Sequence, residues 1–141
     1  MWSLFWPILV VVGANTVYNI SAKSTPPDVN PFASLALSYL VGVVCSVGLF
    51  FLTAENKNLF AELGKTNWTS LALGAAIVAL EFGYLCIYRA GWKISVATLV
   101  ANLSLACILL VVGVLLYKET VSLRQAIGIG LSAIGLILIA K

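Results

Sequence analysis

Residues Ile94 to Tyr117 read ISVATLVANLSLACILLVVGVLLY, and no charged residue interrupts them. A helix needs roughly 20 mostly apolar residues to cross the hydrocarbon core of a bilayer, and this run exceeds that length. Lys93 and Lys118 bracket it. Reading outward, runs of the same kind extend over Trp68 to Tyr88, Phe32 to Thr53, Leu4 to Ala22 and Val121 to Ala140. The fold expected is therefore all-α and integral to a membrane. Residues 1–141 would form a single transmembrane domain of five helices, with spans at about 4–22, 32–53, 68–88, 94–117 and 121–140. A transmembrane barrel would show segments of about 10 residues alternating polar and apolar, whereas these runs are continuous.

Composition agrees. Hydrophobic residues make up 62% of the chain and charged residues 9%, against roughly 45–50% and about 25% in soluble domains. Mean hydropathy is +1.08. Eight Lys/Arg and five Asp/Glu cannot cover a surface facing water. The chain has no histidine, which removes His-based acid–base chemistry and His-ligated metals. Cys45, Cys86 and Cys107 lie apart in apolar runs, with no CxxC pair. No cofactor and no metal site is expected. The small, dispersed charge of +3 leaves no footprint for nucleic acid. No Walker loop, GxSxG elbow or HExxH occurs, and no nucleophile–base pair is visible, so an enzyme is not expected.

The breaks between spans have local causes. Pro26, Pro27 and Pro31 surround Asp28-Val29-Asn30 and stop a helix there. Ala54 to Asn67 carries Glu55, Lys57, Glu62 and Lys65, with Leu59, Phe60 and Leu63 placed to lie on one face of a short interfacial turn. The first run lacks a basic stretch before it and an A-x-A-like site after it, so it reads as a mature span rather than a signal peptide. With five spans, Lys57, Lys65, Lys118 and Arg124 share one face, and Lys23, Arg89, Lys93 and Lys141 the other. Loop charge sets orientation, and here it is balanced. Either the rule is weak for this chain, or the chain inserts both ways up and supplies both halves of an inverted pair.

Polar residues inside spans demand a reason. Glu81 lies slightly past the middle of the third run, with Tyr84 at i+3 and Tyr88 at i+7 on roughly one face. A carboxylate beside aromatic rings suits a cation, and burial favours proton exchange. The alternative is a protonated or hydrogen-bonded packing residue. Asn15 and Asn19 stand one turn apart beside Tyr18, with Lys23 a further turn on. The asparagines either line a cavity or join helices by amide hydrogen bonds, while Lys23 is expected to snorkel to the interface. Ser95, Thr98 and Asn102 form a second stripe, of which Asn102 carries the most weight, since Ser and Thr often bond back to their own helix. Gly128, Ser132 and Gly135 put small residues on one face of the last run, which reads as a packing or dimerisation element.

From about Ala79 to the C-terminus the chain resembles the EamA-like repeat of the drug/metabolite transporter superfamily. The resemblance rests on Leu115-Leu116-Tyr117-Lys118-Glu119-Thr120-Val121-Ser122, then Gln125-Ala126-Ile127-Gly128, then Gly135-Leu136-Ile137-Leu138-Ile139. The opening run ending Ser21-Ala22-Lys23 also looks like the first helix of such a repeat. Many members carry two inverted repeats, and this chain has one. They also often have prolines in the fourth helix, where this chain has none. The small multidrug resistance proteins, more distant, keep an essential acid in their first helix, where this chain has Asn15 and Asn19.

The resemblance implies one drug/metabolite-transporter repeat in a bacterial or archaeal plasma membrane, working as an antiparallel homodimer around a cavity near the midplane. Asn15, Asn19, Glu81, Tyr84 and Asn102 are the expected substrate contacts, with Tyr18 and Tyr88 beside them. The partners are then a small cationic or zwitterionic solute, membrane lipid and a second copy, with proton coupling at Glu81. The rival readings are a lipid-linked carrier or flippase, and a membrane scaffold or accessory subunit without transport.

Overall fold

The computed structural model describes the backbone of residues 2–120 and 122–140, and side chains outside 2–4, 123, 126, 129, 133, 136, 137, 139 and 140. Val121, the expected start of the last run, and Lys141, a basic residue counted beyond its end, lie outside the described residues. Among these residues the chain is helical and has no strand: α1 (Trp2–Ser24), α2 (Pro31–Thr53), α3 (Leu59–Leu63), α4 (Trp68–Arg89), α5 (Ile94–Tyr117) and α6 (Leu123–Ala140).

The ends of the helices are chemically set. Pro31 occupies the first position of α2, where its missing N–H costs nothing. Asn30 caps the same end, its side-chain oxygen accepting from the backbone N–H of Phe32 and Ala33. Asn58 caps α3 by accepting from Ala61, and the Asn67 side chain accepts from the Thr69 N–H at the start of α4. Ser122 and Gln125 form a reciprocal capping box at α6. The Gln125 N–H donates to Ser122 Oγ at 3.3 Å, and the Ser122 N–H donates to Gln125 Oε1 at 2.8 Å. The stretch that carried the family resemblance is thus partly a helix-start signal.

The helices fall into two compact units, Met1–Lys23 with Ala90–Lys141, and Ser24–Arg89. In the first unit α5 packs on α6. The turn between them is closed by Lys118, a non-glycine residue in the left-handed region at φ 53°. Its N–H and that of Glu119 both point to the Gly113 carbonyl, the latter at 3.1 Å. Gly113 is buried, and the Glu119 carboxylate rests over it: a Cβ there would lie 2.6 Å from Glu119 Oε2. In the second unit α2 packs on α4. Phe32, near the start of α2, stacks on Phe82, near the end of α4, with ring centroids 4.9 Å apart, so the two helices run antiparallel. Arg89, at the end of α4, donates to the Val29 carbonyl at 2.6 Å and the Pro26 carbonyl at 3.3 Å, which ties the proline-rich loop to α4.

The surface is inverted relative to a water-soluble protein. Among the described residues the buried apolar set is Leu35, Leu85, Tyr88 and Ala97, while Leu52 is 83% exposed, Leu71 79% and Leu116 75%. Long helices satisfy their own backbone groups, as a bilayer interior requires. Among the described residues four, Phe5–Ser24, Pro31–Thr53, Trp68–Arg89 and Ile94–Tyr117, are long and apolar enough to cross a membrane.

Candidate functional site

In the first unit the polar stripes of α1 and α5 face each other. Asn19, on α1, is buried to 4% exposure. Its side-chain N–H group donates to the Asn15 carbonyl and to Asn15 Oδ1, both at 2.7 Å, and its oxygen accepts from the Thr98 hydroxyl at 3.1 Å. The chain Thr98–Asn19–Asn15 therefore joins α5 to α1, with Asn19 engaged on both sides of its amide. Lys23 adds a second tie one turn on, its ammonium donating to the Trp92 carbonyl at 2.9 Å.

Beside this tie the two helices part to form a groove of about 740 Å³. Asn15, Asn19, Ser95, Thr98 and Asn102 line it, with aliphatic side chains between them. Tyr18, half-buried on α1, is not among the lining residues. Asn102 is eight residues from the start of α5 and Asn15 nine from the end of α1, so both lie about 12–13 Å in from the same end of the pair. That depth is near the middle of a 30 Å hydrocarbon core.

In the second unit the candidate group is Glu81. It is half-buried on α4, and no basic residue of its own unit pairs with it. The Tyr39 hydroxyl, from α2, faces its carboxylate closely enough to interact, yet outside hydrogen-bond geometry. Tyr84 and Tyr88 follow on α4 with ring centroids 6.0 Å apart. Tyr88 is buried and Tyr84 half-buried.

The structure thus gathers Asn15, Asn19 and Asn102 in one unit, and Glu81, Tyr84 and Tyr88 in the other. Sequence reasoning missed Tyr39, because a lone tyrosine in an apolar helix has no distinguishing signal. It undervalued Thr98, whose hydroxyl crosses to another helix. On α6, a Cβ added to Gly128 or Gly135 would meet nothing within 4 Å among the described residues. Among the described residues no cluster of three metal-ligating side chains forms.

Outward apolar surface, closed helices and polar groups held at mid-helix define an integral membrane protein built entirely of helices. The EamA-like transporter family matches residues 1–141, and the chain belongs to that family of membrane transporters. No curated protein and no solved structure matches the chain.

Proposed function

We propose that this protein is a secondary transporter of a small cationic or zwitterionic organic solute, coupled to protons at Glu81. The observation that carries the reading is the Glu81 carboxylate itself, placed mid-helix without a basic partner in its unit and flanked by Tyr39 and Tyr84. An acid held there must take a proton, a cation or donors from elsewhere. Exchange between proton and substrate is the simplest use of such a group. Tyr84 and Tyr88 supply ring faces that tolerate the apolar parts of an amine. The working unit is an antiparallel homodimer in a bacterial or archaeal plasma membrane, with the open Gly128 and Gly135 face of α6 available to the second copy. In this reading α6 is the fifth crossing: its 18 residues reach about 27 Å. Residues 1–141 then act as one domain, and the role is transport without catalysis of a covalent step.

Reconstitution into liposomes tests this. A labelled alkylamine should accumulate against its gradient when a pH difference is imposed, and Glu81→Gln should remove that response while the protein stays folded. The amide keeps the shape and hydrogen-bonding capacity but cannot carry the charge. Protein that binds no amine at any pH would leave the scaffold reading in its place.

A further inference from the structure

We propose that the groove between α1 and α5 is a binding site for an uncharged ligand that carries a carboxamide, or two neighbouring hydroxyls, on a short aliphatic body. This goes beyond the cation reading of Glu81, because it concerns residues of the first unit alone.

Some of the hydrogen-bonding groups at the groove are already used. Asn19 is spent on Asn15 and Thr98. Three exposed side chains on the groove wall are not. Asn102 and Ser95 make no hydrogen bond among the described residues, and Asn15 uses its oxygens as acceptors but leaves its own N–H group undirected. Near the middle of a bilayer an amide cannot remain unpaired cheaply, since hydrocarbon offers it nothing. A ligand that brings both a donor and an acceptor meets that need. A carboxamide does so in one planar group, matching the Asn102 amide with two parallel bonds.

Charge selects against the other candidates. The lining holds no carboxylate and no aromatic ring, so an ammonium finds neither a counter-charge nor a ring face. It holds no basic side chain either, and the Lys23 ammonium close by is directed to the Trp92 carbonyl. A carboxylate would therefore enter without a cation. Between the polar groups stand Val12, Leu99 and Leu103, which give a short alkyl body its contacts. The volume of about 740 Å³ falls within the range of small-molecule sites.

Four probes of equal chain length separate the head-group chemistries: hexanamide, hexane-1,2-diol, hexylammonium and hexanoate. Each is titrated by ligand-observed NMR against the full chain in lipid nanodiscs, with empty nanodiscs correcting for partition into lipid. In the Glu81→Gln protein, whose carboxylate can no longer hold the amine, hexanamide and the diol should bind about tenfold more tightly than the two ions, the advantage expected of one or two neutral hydrogen bonds. Asn102→Leu should abolish that advantage, and Ser95→Ala, two helical turns away and breaking no hydrogen bond in the described structure, should leave it unchanged. Glu81→Gln should leave hexanamide unaffected even where it removes hexylammonium, so this site and the carboxylate reading fail separately. Hexanamide affinity unchanged by Asn102→Leu would overturn the proposal. So would a preference for either ion that Asn102→Leu removes, or hexanamide binding lost in Glu81→Gln.

Discussion

The Thr98 hydroxyl donates to the Asn19 side-chain oxygen at 3.1 Å, joining residues 79 apart in sequence. Asn19 is buried, so losing the Thr98 donor removes one partner of a side chain that is shielded from solvent. Thr98→Val keeps the shape and removes the donor. The expected cost is about 0.6–1.7 kcal/mol, the range for hydrogen bonds between helices in a bilayer. Thr98→Ser should restore most of it. Reversible unfolding in mixed micelles measures the difference, and equal stability of the Val and wild-type proteins would show that the bond contributes nothing.

Tyr39→Phe separates function from stability. The Tyr39 hydroxyl is buried and lacks a hydrogen-bond partner while facing Glu81. A buried polar group without a partner costs about 1–3 kcal/mol, so its removal should raise stability or leave it unchanged. Transport should nonetheless fall if the phenol takes part in exchange at Glu81. Thermal unfolding and liposome flux on one preparation check both directions. Unchanged flux would confine Tyr39 to packing.

The turn after α5 makes a test that is independent of transport. Lys118 sits at φ 53°, a region that costs an L-residue with a side chain about 1–2 kcal/mol. Lys118→Gly should raise the thermal midpoint by an amount equivalent to about 1 kcal/mol. Gly113→Ala should be nearly neutral. The added methyl displaces only the flexible end of Glu119, and alanine gains roughly 1 kcal/mol of helix propensity in return. A large loss in Gly113→Ala would mean that the seat of Glu119 matters more than its flexibility suggests.

Association through α6 can be probed without disturbing the subunit. Gly128→Leu and Gly135→Leu place side chains where a Cβ would meet nothing within 4 Å among the described residues. Folding should therefore survive, while a dimer formed through this face should weaken about tenfold or more, as bulky side chains keep helices apart. Sedimentation in density-matched detergent reads the result. An unchanged equilibrium would put the face against lipid.

Balanced loop charge leads to the expectation of dual topology. Adding three lysines between Ala54 and Asn67 should lock one orientation, and activity should fall if the working pair is antiparallel. Co-expression with a variant carrying lysines in the Pro26–Pro31 loop should restore it. Single cysteines in those two loops report orientation directly. Labelling of each loop from one side only would establish a single orientation.

Much of the architecture was legible in the residues because its causes are local. A run such as Ile94–Tyr117 must be a helix in lipid, since no other single segment satisfies its own backbone there. Pro26, Pro27 and Pro31 end one helix and begin the next by covalent geometry. Glu81 stood out because a carboxylate in an apolar run always requires an explanation. The family resemblance was legible around Glu119 and Gly128 for the same reason, since it follows a turn written in consecutive residues.

Tertiary structure alone decided which polar group meets which. The asparagines were open between cavity lining and helix bonding. Asn19 bonds to Thr98 and to Asn15, and it stands with Asn15 and Asn102 on the groove wall. Tyr39 reached Glu81, and Arg89 reached the Pro26 and Val29 carbonyls, without any signal in the sequence. The reason is the solvent. A helix in water declares its inner face by contrast between apolar and polar sides. In lipid both sides are apolar, hydrophobicity no longer distinguishes the face turned to a neighbour, and helix rotation is set by packing and a few polar contacts that exist only once the helices have met.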